Sequence, residues 1–176
     1  MMNRRDVLNL AVTAGASAAL RPSSAVADED DPATDFRIVD TNVSLFQWPF
    51  RRLPLDEIEL LVAKYRTLGI KQAWAGTFEG VLHRDVASAN QRLTDACVKY
   101  PELVPIGSVN PELPDWEEDL RHCHQKHSMS GIRLHPNYHG YSLDDPRFTQ
   151  LLELATKAGL FVQIAATLED TRTQHP

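Results

Sequence analysis

Cysteine is scarce: only Cys97 and Cys123 occur in 176 residues, and each falls inside a helical pattern. Nothing in the sequence places the two within reach of each other, so no disulfide is expected to carry the fold, and Cys97 reads as a small buried thiol. Basic charge is also short. The chain has 18 Lys and Arg against 24 Asp and Glu, a net charge of −6, and so acidic a surface argues against nucleic acid and anionic membrane as partners. Long apolar runs are missing as well. The weakly apolar run that ends at Leu20 is too short to span a bilayer.

That run has another reading. Arg4 and Arg5 stand ahead of it, and Ala25-Val26-Ala27 follows it as a small-residue cleavage pattern. Together they describe a twin-arginine export signal over residues 1–27, with residues 28–35 as an acidic linker. The mature protein is therefore expected in the periplasm or outside the cell, with no membrane contact. Residues 1–27 hold three arginines and one aspartate; without them 15 basic residues face 23 acidic ones, and the net charge becomes −8. The remaining residues suffice for one domain with a single core.

From Phe36 onward a short apolar run, a loop and an amphipathic segment recur. The strands read as "FRIVDTN", "IKQAWAG", "LVPIGSVN", "GIRLH" and "LFVQIAA". In the first, Asp40 and Asn42 share a face because side chains alternate. Four helices lie between them: one opening at Pro54 and closed by Gly69, one from Arg84 to Tyr100, one capped by Asp115, and one entered through Asp144-Asp145-Pro146. Strands that alternate with crossover helices require a parallel sheet. A complete eight-stranded (β/α) barrel needs about 250 residues, so about five strands and four helices make a little over half of one. An open doubly wound sheet of five strands is the alternative that pattern alone leaves standing.

At "FRIVDTNVSLFQWPF", "GSVNPELPDWEEDL", "MSGIRLHPNYHGYSLDDPRFTQLLELATKAGLFVQI" and "LEDTRTQHP" the chain resembles the amidohydrolase-related family, the amidohydrolase-2 branch of the metal-dependent hydrolases. The resemblance implies an α/β fold, a (β/α)₈ TIM-type barrel present here as a partial, truncated domain over residues 36–176, with its active site at the C-terminal ends of the strands. It implies hydrolysis of a C–N or C–O bond in a small carboxylate, lactone or amide, with decarboxylation and a catalytically inactive binding or assembly module as alternatives. It also implies a divalent metal such as zinc, held by an Asp-x-His-x-His run at the first strand and a histidine after the fifth. Here those positions read Asn42, Ser44 and Ala165. Amide, hydroxyl and methyl groups do not replace imidazoles for zinc, so no metal ligand is assigned and the cofactor is left open.

His135 ends the fourth strand on the same face as Arg133 and should point toward the barrel mouth, which makes it the first catalytic candidate. Asp40 is the second, and it is expected to pair with Arg133 across the interior. Arg133, Asn42, Gln163 and His139 are the substrate-binding candidates; His139 and Tyr141 fall in a loop where solvation competes with that role. "RHCHQKH" offers His122, Cys123, His124 and His127 in six residues but reads as a solvated helix end. Trp48 and Trp74 read as packing residues. The substrate is expected to be a small molecule, and an open sheet edge would favour a homo-oligomer.

Overall fold

The computed structural model describes residues 37–166. The expected export signal and acidic linker, and the closing "TLEDTRTQHP", lie outside the described residues.

Strand β1 (Ile38–Leu45) runs parallel to β2 (Ile70–Thr77), and β2 runs parallel to β3 (Leu103–Pro105). A second parallel set joins β4 (Gly107–Ser108), β5 (Gly131–Leu134) and β6 (Phe161–Ile164) in that order. The expected third strand is therefore two short ones. Pro105 has no N–H to give the ladder, and the break lets the first half pair with β2 and the second with β5. Ile106 keeps contact across the break by donating its N–H to the Ala75 carbonyl at 2.8 Å. Among the described residues all pairing is parallel, in the strand sequence of a barrel wall and not of a doubly wound sheet.

Helix α1 (Ile58–Leu68) ends at Gly69, whose φ of 70° is the left-handed cap expected of it. It begins four residues later than Pro54 suggests, because Leu55 sits at φ 59° and interrupts any helix across it. Helix α3 (Val86–Cys97) starts at Asp85, which accepts the Ser88 N–H, and α6 (Pro146–Lys157) starts at Asp145, which accepts the Arg147 N–H. Asp115 precedes α4 (Trp116–Gln125) but makes no side-chain cap. Two one-turn helices were not legible: α2 (Glu79–Leu82) after β2 and α5 (Pro136–His139) after β5. A single turn is too short to show helical periodicity.

Helices cover one side of the strands. Leu61, Val62 and Tyr65 of α1, Leu93 and Cys97 of α3, Leu120 and Cys123 of α4, and Leu151 and Ala155 of α6 form the core with Ala73, Ala75, Ile132 and Leu134. Both cysteines are free and buried, and burial pushes each thiol up to about 12. On the other side of the sheet Trp74 packs against Phe161 with ring centroids 4.5 Å apart. Trp48 is buried against Phe50 and Phe78. Among the described residues no helix is long and apolar enough to cross a membrane.

Candidate functional site

The C-terminal end of β5 carries a cluster of buried polar residues, Arg133, His135 and His139. Within "GIRLH" alternation sends Ile132 and Leu134 to the helices and Arg133 and His135 to the interior, and both interior residues are almost fully buried. "HPNYHG" then makes one turn of helix, with Pro136 in its first turn and Gly140 at φ 76° closing it. That turn brings the His135 and His139 rings to a centroid distance of 5.7 Å, edge to face.

His139 and Tyr141 are not solvated loop residues. They are 8% and 7% exposed, and the His139 Nε2 lies 3.0 Å from the Gly80 carbonyl. A carbonyl only accepts, so this nitrogen carries a proton and donates it to Gly80. His135 Nδ1, Ser108 Oγ and the Tyr141 hydroxyl are buried without a hydrogen-bond partner among the described residues. Burial, then His139 and Arg133, press the His135 imidazole down to about 3, so it is neutral at physiological pH.

Asp40 and Arg133 do not pair as expected. A register break between Asp40 and Val43 disrupts the alternation of β1. The Asp40 carboxylate instead accepts from Tyr65 of α1 at 2.7 Å and from the Asn42 N–H at 3.0 Å. Asn42 itself is exposed. Arg133 spends its donors inside the protein: Nε on Gln163 Oε1 at 2.8 Å, Nη1 on the Val43 carbonyl at 2.8 Å and Ser44 Oγ at 3.3 Å, Nη2 on the carbonyls of Trp74 at 3.1 Å and Thr41 at 3.3 Å. Five donors meet five oxygens, which leaves none for a substrate. Gln163 completes the web by donating Nε2 to the Thr41 carbonyl at 3.0 Å.

Two residues escaped the sequence reading. Asn90, 1% exposed, grips the Ser108 backbone from both sides, donating to its carbonyl at 2.9 Å and accepting its N–H at 2.8 Å. A polar residue inside the apolar stripe of α3 was the signal. Asn110 follows β4 and accepts the Glu112 N–H at 3.0 Å through Oδ1, which leaves Nδ2 as a donor.

Asn110 lines a cleft of about 430 Å³ between the segments that follow β2, β4 and β5, together with Arg84, Glu112, Tyr138 and His139. The Glu112 charge is met by Arg147, which also bonds Asp145 at 2.7 Å. Arg84 is exposed and makes no hydrogen bond or ion pair among the described residues. The cleft thus presents unspent positive charge. In "RHCHQKH", His122 bonds Glu118 at 2.9 Å and His124 is exposed, but His127 is buried past the end of α4 and is not part of a solvated end. Among the described residues no three His, Cys, Asp or Glu side chains converge as a metal site.

A family model described as amidohydrolase matches residues 46–176, well over half the chain. A search of curated proteins finds no match. Several solved structures share the fold. A 5-carboxyvanillate decarboxylase from Novosphingobium aromaticivorans, crystallised with manganese, is 22% identical at a TM-score of 0.60 over 74% of this chain and 51% of that one. The apo form of IDCase from Metarhizium anisopliae is 15% identical at 0.61, over 74% and 50%. A protein from Acinetobacter baumannii described as a probable 2-pyrone-4,6-dicarboxylic acid hydrolase is 17% identical at 0.52, over 74% and 50%. The chain spans about half the length of these structures.

Proposed function

The chain belongs to the amidohydrolase family, and from that premise we propose that it hydrolyses a small carboxylated lactone or amide held in the cleft beyond β2, β4 and β5. The observation that carries this reading is the cleft itself. It lies at the C-terminal ends of parallel strands, where barrels of this kind keep their chemistry, and it combines the guanidinium of Arg84, the amide of Asn110 and the imidazole of His139. Arg84 and Asn110 Nδ2 would meet the substrate carboxylate. His139, which lines the cleft with its ring held by the Gly80 carbonyl, would be the proton-transferring group, while neutral His135 packs behind it.

A bound divalent metal supplies hydroxide at neutral pH where a protein can hold one. Asn42, Ser44 and Ala165 do not fit that task, and Ser44 Oγ already accepts from Arg133. General acid–base catalysis alone contributes about 10²- to 10⁴-fold, so this reading implies a slow hydrolase.

The test is a panel of lactones, amides and carboxylated aromatics offered to the purified protein. His139→Ala is expected to lower kcat/KM by about 10²-fold or more, and Arg84→Ala to raise KM with kcat little changed. Full activity in His139→Ala would sink the reading. Carboxylate binding without turnover would favour the binding-module alternative, for which the fully engaged Arg133 and the neutral His135 speak. Decarboxylation, the reaction named for one structural relative, would show as carbon dioxide release in the same panel. The proposal extends to location: residues 1–27 support export, and protein recovered from the periplasm should begin at Asp28.

A further inference from the structure

We infer that the guanidinium of Arg133 is the resident cation of the barrel interior and that this interior does not admit a divalent metal. The inference is independent of whether the neighbouring cleft is catalytic.

The oxygens around Arg133 are of a kind that a hard metal ion would use: three backbone carbonyls, one hydroxyl and one side-chain amide. Two of the carbonyls, Thr41 and Val43, belong to the stretch where β1 slips register against β2 and skips residues 41 and 42. A slip of this kind disrupts the ladder locally and leaves carbonyls to be satisfied elsewhere. The third, that of Trp74, comes from β2. Arg133 answers all three from β5, and Gln163 of β6 fixes its Nε. Room for the head group is made at Gly76, where a Cβ would stand 2.6 Å from Nη1.

The charge on this group is uncancelled at short range. No carboxylate lies within 4.0 Å of the guanidinium among the described residues, and the nearest influence is the field of Asp40. Burial lowers its pKa only to about 10, so it remains a cation at neutral pH. A second, divalent cation brought to Ser44 would meet a fixed positive charge 3.3 Å from the Ser44 oxygen and would have to strip the oxygens from Arg133. The positions that the family resemblance assigns to imidazoles offer nothing in return: Asn42 is exposed, Ser44 is already an acceptor, and Ala165 carries a methyl group.

The experiment measures Mn²⁺ binding to the full chain by electron paramagnetic resonance and titration calorimetry, on wild type, Arg133→Lys and Arg133→Met. Wild type and Arg133→Lys, which both keep a cation, should hold less than about a tenth of an equivalent after gel filtration. Neither should gain thermal stability from millimolar Mn²⁺. Arg133→Met, which empties the oxygen cage of charge, should bind Mn²⁺ at least about tenfold more tightly than wild type. One tight equivalent in wild type, lost on Ser44→Ala, would overturn the inference. So would an Arg133→Met protein that folds by circular dichroism and binds no better than wild type. Should Arg133→Met not fold, wild type and Arg133→Lys still decide it: metal retained by either is a refutation, and exclusion by both upholds it.

Discussion

At the scale of single residues the energetics concentrate on three buried ionisable groups. Arg133→Met removes the partner of three inward carbonyls and is expected to cost about 3–5 kcal/mol, as loss of one member of a buried charged network does; urea denaturation with intact secondary structure checks it. His135 and Asp119 pull stability in opposite directions with pH. The His135 imidazole is held at about 3 in the fold, against about 6.5 when unfolded. The unfolded chain therefore takes a proton that the fold refuses, and stability drops as pH falls from about 6.5 toward 3. Burial raises Asp119 to about 6, so the fold holds that proton better than the unfolded chain, where the carboxyl titrates near 3.9. Its contribution is full below about pH 4 and is lost as pH rises through 6. His135→Asn should flatten the acid limb of a stability–pH curve, and Asp119→Asn should raise Tm at pH 7 but not at pH 4. Unchanged slopes in both variants would contradict these assignments.

At the scale of elements, glycine caps give the cleanest test, because Gly69 has φ 70° and open space around its missing Cβ. Gly69→Ala should cost about 1 kcal/mol from backbone strain alone, and Gly69→Asn less, since asparagine tolerates the left-handed region. Thermal unfolding of the pair checks it; equal losses would mean the cost is not conformational. This cap was legible in the sequence, as was the one at Asp145, because each rests on local chemistry; the five expected strands were legible as apolar runs, the third of them dividing into β3 and β4 in the fold. What could not be read depended on partners far along the chain. The slip in β1 that turns Asp40 toward Tyr65 exists only against β2. The split at Pro105 exists because one strand serves two neighbours. The burial of His139 requires the Gly80 carbonyl, 59 residues away in sequence. Of the candidate site, the "GIRLH" face was legible; the Arg133 oxygen cage was not, since three of its five oxygens are backbone.

For the whole molecule, the unresolved balance lies at the outer strands. Among the described residues β1 pairs only with β2, and β6 only with β5. Ile38 and Val39 on β1 and Ile164 on β6 are 52%, 38% and 41% exposed. Unpaired N–H and C=O groups beside exposed β-branched side chains form a template for another strand. A second copy of this chain offers that strand, and the acidic net charge of −6 opposes it. Attraction here is short-ranged and repulsion is screened within about 8–10 Å at moderate salt, so added salt should favour association instead of dissolving it. Size-exclusion chromatography with light scattering is expected to show a dimer that grows with protein concentration and with sodium chloride. Ile164→Lys or Val39→Lys should weaken it with little effect on Tm, because both side chains already face solvent. A monomer at every concentration and salt, with no binding of a hydrophobic dye, would mean that these edges are covered within the chain itself.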